Sequence, residues 1–282
     1  MKNPRQSFAY RLSAVLGVSL RYMGMFLPCC VLGLTAIASF CFLKAFAAAF
    51  PGSTVVDALI WAFDPSAGVS LLWVVCPAIF MTALSYLWKE KERAHIIVAY
   101  GSEGRMFASY LSDVVVLALS VAMVLLGVLL LCGYAIFGSA SNFDSSSSLM
   151  AAYTEETLEG FDLASSLPAF FFYGFLSLMF SGMAFYILRA ICKNTVLAWG
   201  VVIACGLPQI HGSTSFIYDA AKAAGMNMPI VNPLSYLYES SGVFYSSWLP
   251  GASHGFWVLV LIVACLIGIG FVVTKGREYL QA

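Results

Sequence analysis

Residues 89–105 read KEKERAHIIVAYGSEGR, and long apolar runs lead into this stretch and away from it. It cannot lie in hydrocarbon, because each charged side chain at a bilayer centre costs about 2.5–3.5 kcal/mol on an insertion scale. It therefore has to sit in water between two membrane helices. It also carries signs of structure. His95 to Tyr100 is short and apolar, Gly101 suits a left-handed helix end, and Ser102 is a capping residue. Glu103 then falls in a first helical turn, where the dipole favours a negative charge. The expectation is a short interfacial helix, a break, and the start of a membrane helix. The plainer reading, an ordinary basic inner loop, fits the same residues.

Composition agrees with a membrane setting. The 282 residues are 61% hydrophobic and 10% charged, where soluble domains run near about 25% charged. The fold class expected is all-α, a polytopic membrane protein forming one membrane domain over 1–282. Formal net charge is zero, so no basic surface argues for nucleic acid as a partner. The partner certain on these grounds is the lipid bilayer. Arg11 and Arg21 interrupt the N-terminal apolar run, which argues against a cleavable signal peptide. The cysteines lie in or at the ends of apolar segments without metal-ligand spacing to a histidine, so they read as small buried hydrophobes and no metal site is expected.

Taken in order, residues 3–22 form a modestly amphipathic segment, with Phe8, Leu12, Val15 and Leu16 on one face. It reads equally as an interfacial helix or as the charged flank of the first span. Membrane spans are expected at 25–50, 68–88, 106–137, 167–188, 195–210 and 255–274. Pro51 and Gly52 close the first span, and Lys44 near its end can snorkel to the headgroups. A short outer segment with Asp57, Asp64 and Pro65 follows, and Pro77 predicts a kink in the second span. The third span exceeds the roughly 20 residues a bilayer needs, so it must tilt or project. An acidic loop without Lys or Arg, 138–166, precedes a fourth span opening at Ser166, Leu167 and Pro168. Arg189, Lys193 and Asn194 make a tight turn before the fifth span. The stretch 209–254 is aromatic and proline-rich.

Orientation follows from the basic residues. With both termini cytoplasmic, only Lys44 and Lys222 of the 14 basic residues fall outside. The inverted arrangement would put nearly all of that charge outside. Six spans with both ends inside is the expected topology.

Enzyme chemistry finds little footing. There is no G-x-x-x-x-G-K-[ST] loop to cradle ATP phosphates, Glu155 and Glu156 sit in an acidic outer loop, and His95, His211 and His254 are scattered. The spans are nearly free of charge. Asp113 is the exception, near the inner end of the third span, where a base such as Arg105 or Lys193 could form an inner-face ion pair with it. A transporter so poor in intramembrane charge must be driven from elsewhere, and a soluble partner docked on the cytoplasmic loops is the natural source.

Three further places point to a family. KEKERAHIIVAYGSEGRMFASYLSD, LRAICKNTVLA and VNPLSYL together resemble the permease subunits of type-2 ATP-binding-cassette (ABC) exporters, in particular the bacterial peptide and lantibiotic-immunity branch. The closing KGREYL is similar to the family's basic tail. The chain departs at Ala94, where glycine is usual, and at Asp113, where lysine is usual. The resemblance implies that 89–105 is a coupling helix held in a cleft of a cytoplasmic ABC ATPase, and that the proline-rich stretch forms outer re-entrant helices between spans five and six. It assigns ATPase coupling to Glu92, Arg93, His95, Ile96, Tyr100 and Arg105. It implies a second permease subunit, the same chain or a sister chain, in a bacterial plasma membrane. No cofactor is expected on this chain, ATP and Mg belonging to the partner, and no catalytic residue. The implied activity is outward transport of a peptide or other amphipathic compound. The rival readings are an ion-coupled secondary transporter and a non-transport sensor or assembly protein.

Overall fold

The computed structural model describes residues 26–63, 71–91, 103–138, 163–210 and 254–275, and all regular structure among them is helical. The helices are α1 (Phe26–Ala49), α2 (Val55–Phe63), α3 (Cys76–Lys91, entered through a π-helical turn at Leu71–Val75), α4 (Glu103–Phe137), α5 (Leu163–Cys192), α6 (Thr195–Ile210) and α7 (His254–Lys275). The segment 3–22, the centre of the charged stretch, the acidic loop and the proline-rich stretch before α7 lie outside the described residues.

Helix is what an apolar chain can form in hydrocarbon, because each backbone N–H and C=O then finds its partner within one segment. The buried hydroxyls follow the same logic. Thr35, Ser39, Ser177 and Ser181 donate to the carbonyls of Val31, Thr35, Tyr173 and Ser177, four residues back. Among the described residues, Cys29–Ala49, Glu103–Phe137 and Phe170–Cys192 are long and apolar enough to cross a membrane. At 35 residues, α4 is about 52 Å long, against about 30 Å of hydrocarbon.

Local chemistry accounts for the element ends. Gly52 takes φ 89° and turns the chain out of α1, and Gly138 takes φ 70° after α4, its N–H donating to Tyr134 O at 3.0 Å. α5 begins one turn before the expected Ser166 cap and carries Pro168 inside it. So near a helix start, the missing N–H costs a single hydrogen bond. At Pro77 the kink expected from sequence is preceded by the π-helical turn at Leu71–Val75. The wider ring of that turn falls where proline withdraws an N–H and crowds the carbonyl of Trp73.

The expected outer segment contains a helix that the apolar periodicity did not reveal. Thr54 caps α2: its N–H and Oγ1–H donate to Asp57 Oδ2 at 2.8 and 3.0 Å, and Asp57 N–H returns to Thr54 Oγ1 at 3.3 Å. α2 is buried: Val55, Val56, Ala58, Leu59, Ala62 and Phe63 all lie in the core. Space for it comes from glycines, since a Cβ on Gly133 would stand 3.3 Å from Val55 and one on Gly174 would stand 3.3 Å from Phe63.

The cysteine expectation needs correction. Of the described cysteines Cys76 alone is buried; Cys29, Cys41 and Cys265 are exposed, and Cys30, Cys132 and Cys192 are half-buried. An apolar residue on a membrane helix need not face protein, because the outer surface of such a bundle is itself apolar.

α5 packs tightly on α3 and α4 at Gly182, where a Cβ would lie 2.8 Å from both Phe80 and Val114. Both neighbours are buried and stiff. Gly182→Ala should lower the thermal midpoint of the purified chain in detergent, at an overpacking cost of about 1–3 kcal/mol. Gly127→Ala, which meets nothing within 4 Å, should leave the midpoint unchanged or raise it. Equal midpoints for the two variants would contradict this packing.

Candidate functional site: the joint beneath the charged stretch

The two helices that flank the charged stretch meet where it leaves and re-enters the bundle. α3 brings Trp88 and α4 brings Phe107 and Tyr110. Trp88 is fully buried. It stacks on Phe185 of α5 with centroids 5.6 Å apart at 15°, and meets Tyr110 and Tyr186 edge-on at 5.5 and 5.4 Å. Offset stacks and edge contacts of this kind contribute about 0.5–1.5 kcal/mol each beyond the area they bury.

Two further helices join this core. Phe107 packs edge-on against Phe271 of α7 at 5.7 Å. Thr274 donates to Gly270 O at 2.7 Å and so receives the Tyr186 hydroxyl proton, also at 2.7 Å. A glycine at 270 permits the approach, because a Cβ there would lie 2.9 Å from Met183 and 3.1 Å from Phe107. On the other side Arg189 reaches α6. Its Cζ lies 5.8 Å from the Trp88 ring centroid, inside the range of a cation–π contact, and its Nε–H donates to Thr195 Oγ1 at 3.1 Å.

The turn after Arg189 is fixed by its own residues. Lys193 adopts φ 53°, and its N–H donates to Arg189 O at 3.0 Å. Asn194 Oδ1 caps α6 by accepting from the N–H groups of Val196 and Leu197 at 3.0 and 3.1 Å. Side chains of α3, α4, α5, α6 and α7 are thereby tied together at one end of the bundle.

Of the residues assigned to ATPase coupling, Glu92, Arg93, His95, Ile96 and Tyr100 lie outside the described residues. Arg105 is exposed on the first turn of α4, and Asp113 is fully buried on the same helix. They stand eight residues apart, about 12 Å of helical rise. Lys193 is exposed. Among the described residues no cluster of His, Cys, Asp and Glu is suited to a metal ion.

The joint itself was not among the expected site residues. Its signal in the sequence is the placing of Trp88 directly before the charged run, with Phe107 and Tyr110 one turn apart directly after it.

Comparisons of the chain with protein-family models, with curated proteins and with solved structures return no match. Among the described residues, fold and composition define a helical membrane-type protein with three candidate membrane-spanning helices.

Trp88→Ala should destabilise the purified chain by about 3–5 kcal/mol, the usual cost of emptying a large aromatic site. Trp88→Phe, which retains a ring to stack on Phe185, should lose less than half as much. Denaturant unfolding in mixed micelles would read both, and indistinguishable losses would argue against a stacking role.

Proposed function

We propose that the chain is the permease subunit of an ABC exporter, in which a separate ATPase drives outward movement of a peptide or other amphipathic compound. The observation that carries this reading is the joint on Trp88. A force applied to the charged stretch reaches α3 and α4 at their ends, and the packed rings pass it to α5 and α7 as a rigid-body displacement. The stretch then works as a lever, with Glu92, Arg93, His95, Ile96, Tyr100 and Arg105 as its contact with the ATPase. In this reading the fulcrum is the packing of Trp88 with Tyr110 and Tyr186.

The reading includes six spans with both termini on the cytoplasmic side. Basic charge supports it, since a single orientation keeps all but Lys44 and Lys222 inside. The length of α7 supports it as well. Its 22 residues rise about 33 Å. Trp257 stands exposed near one end, and Lys275 holds its ammonium 4.7 Å from the Phe271 ring at the other. Such residues anchor helices at the two interfaces. In the same arrangement a second permease chain completes the pathway, in a bacterial plasma membrane.

One observation favours a different mechanism. Asp113 is fully buried on α4, and the rest of that helix to Phe137 carries no further charge; an ionisable residue at such a place is the usual mark of an ion-coupled transporter. That reading requires transport without nucleotide, abolished by Asp113→Asn.

The two are separated by one preparation. The chain expressed with its ATPase should copurify with it, and Arg93→Glu should abolish the association while the chain remains folded. Retention of the ATPase after Arg93→Glu would remove the lever assignment. Nucleotide-independent transport by the purified chain would replace the export reading with the ion-coupled one.

A further inference from the structure

The end of the bundle away from the charged stretch holds a feature that the lever does not use. Asp57 is 3% exposed on the buried helix α2. Both hydrogen bonds made to its carboxylate fall on Oδ2, from Thr54. Oδ1 is buried and has no hydrogen-bond partner. A carboxylate oxygen in that state carries a large desolvation cost, and a native site normally offsets it with a donor or a cation.

The basic side chain nearest in sequence supplies neither. Lys44 is exposed and its ammonium lies 5.8 Å from the Phe40 ring centroid, on the outer surface of α1. Aromatic rings flank α2 at both ends. Before it, Phe46 lies 5.0 Å from Phe50 and 6.1 Å from Phe137. At its close, Phe63 meets Phe170 edge-on at 5.1 Å. A fixed carboxylate oxygen on a short helix with aromatic rings at both of its ends offers the two elements that recognise an organic ammonium ion, a charge-assisted acceptor and ring faces. The sequence adds a long-range bias, because the loop 138–166 contains acids and no Lys or Arg.

We propose that Asp57 Oδ1 is the anchor for the ammonium group of an amphipathic amine, with the rings beside α2 taking its apolar part. The Thr54 cap holds the carboxylate by one oxygen and leaves the other for the ligand. This deepens the export reading by naming the charge of the compound moved. Its test uses neither nucleotide nor ATPase, so either can fail alone.

The full chain in lipid nanodiscs would be titrated with 2-phenylethylammonium and, separately, with the near-isosteric 2-phenylethanol, following the thermal unfolding midpoint. The amine should raise the midpoint saturably and the alcohol should not. Asp57→Asn, which keeps an acceptor for the Thr54 donors, should weaken the amine's effect by about tenfold or more, the worth of a charge-assisted hydrogen bond. Thr54→Ala, which removes the hydroxyl that helps to hold Oδ2, should weaken the effect to a smaller extent and serves as the second variant if Asp57→Asn does not fold. Equal responses to amine and alcohol, or an undiminished response in either variant, would overturn the proposal. Absence of any amine response would assign Oδ1 to a buried water instead, and would equally overturn it.

Discussion

The indole of Trp88 has to be packed on its faces and edges, because it closes the bundle at the point where the chain turns from apolar to charged. Phe185 covers one face, and Tyr110 and Tyr186 close on it edge-on. Those rings fasten α3 and α4 to α5 at that end, and the contacts of Phe107, Tyr186 and Arg189 extend the joint to α7 and α6. Lipid offers no hydrophobic drive for helices to associate, so close contact of rings and small residues has to supply it.

The opposite end is assembled differently. There α2 fills the space between longer helices, and glycine at 133 and 174 makes room for it. The bundle therefore has one end fastened ring to ring and another built around an inserted short helix held by a Thr–Asp cap. In the reading proposed above, the first arrangement transmits displacement. The second encloses a carboxyl group, and a polar group held in a low dielectric responds strongly to whatever approaches it. The ring-packed joint and the enclosed carboxyl group thus lie at separate ends.

Much of this was legible from residues, and the exceptions have physical causes. Apolar runs placed the long helices, because length and absence of charge are what hydrocarbon demands. Lys193 and Asn194 were readable as a tight turn. α2 was hidden because nine residues apolar on nearly every side have no polar face to reveal a period; only the Thr54–Asp57 spacing marked it. The joint was hidden for another reason. Trp88, Tyr110, Phe185 and Tyr186 each look like ordinary span residues, and their meeting depends on how three helices cross. The outward-facing cysteines show the converse difficulty. In water an apolar residue implies an interior, whereas on a membrane helix it is equally at home on the rim.

The widened turn at the entry to α3 carries a consequence for how that helix can move. A π-helical ring holds one residue more than an α-helical one. Shifting the surplus residue along the helix would rotate the segment it passes by about 100°, the angle of a single residue on a helix of 3.6 per turn. Before Pro77, which has no N–H to exchange, hydrogen bonds would be traded rather than lost. The entry to α3 can thus act as a screw as well as a rod, turning the side chains between Leu71 and Cys76 while Trp88 keeps its place.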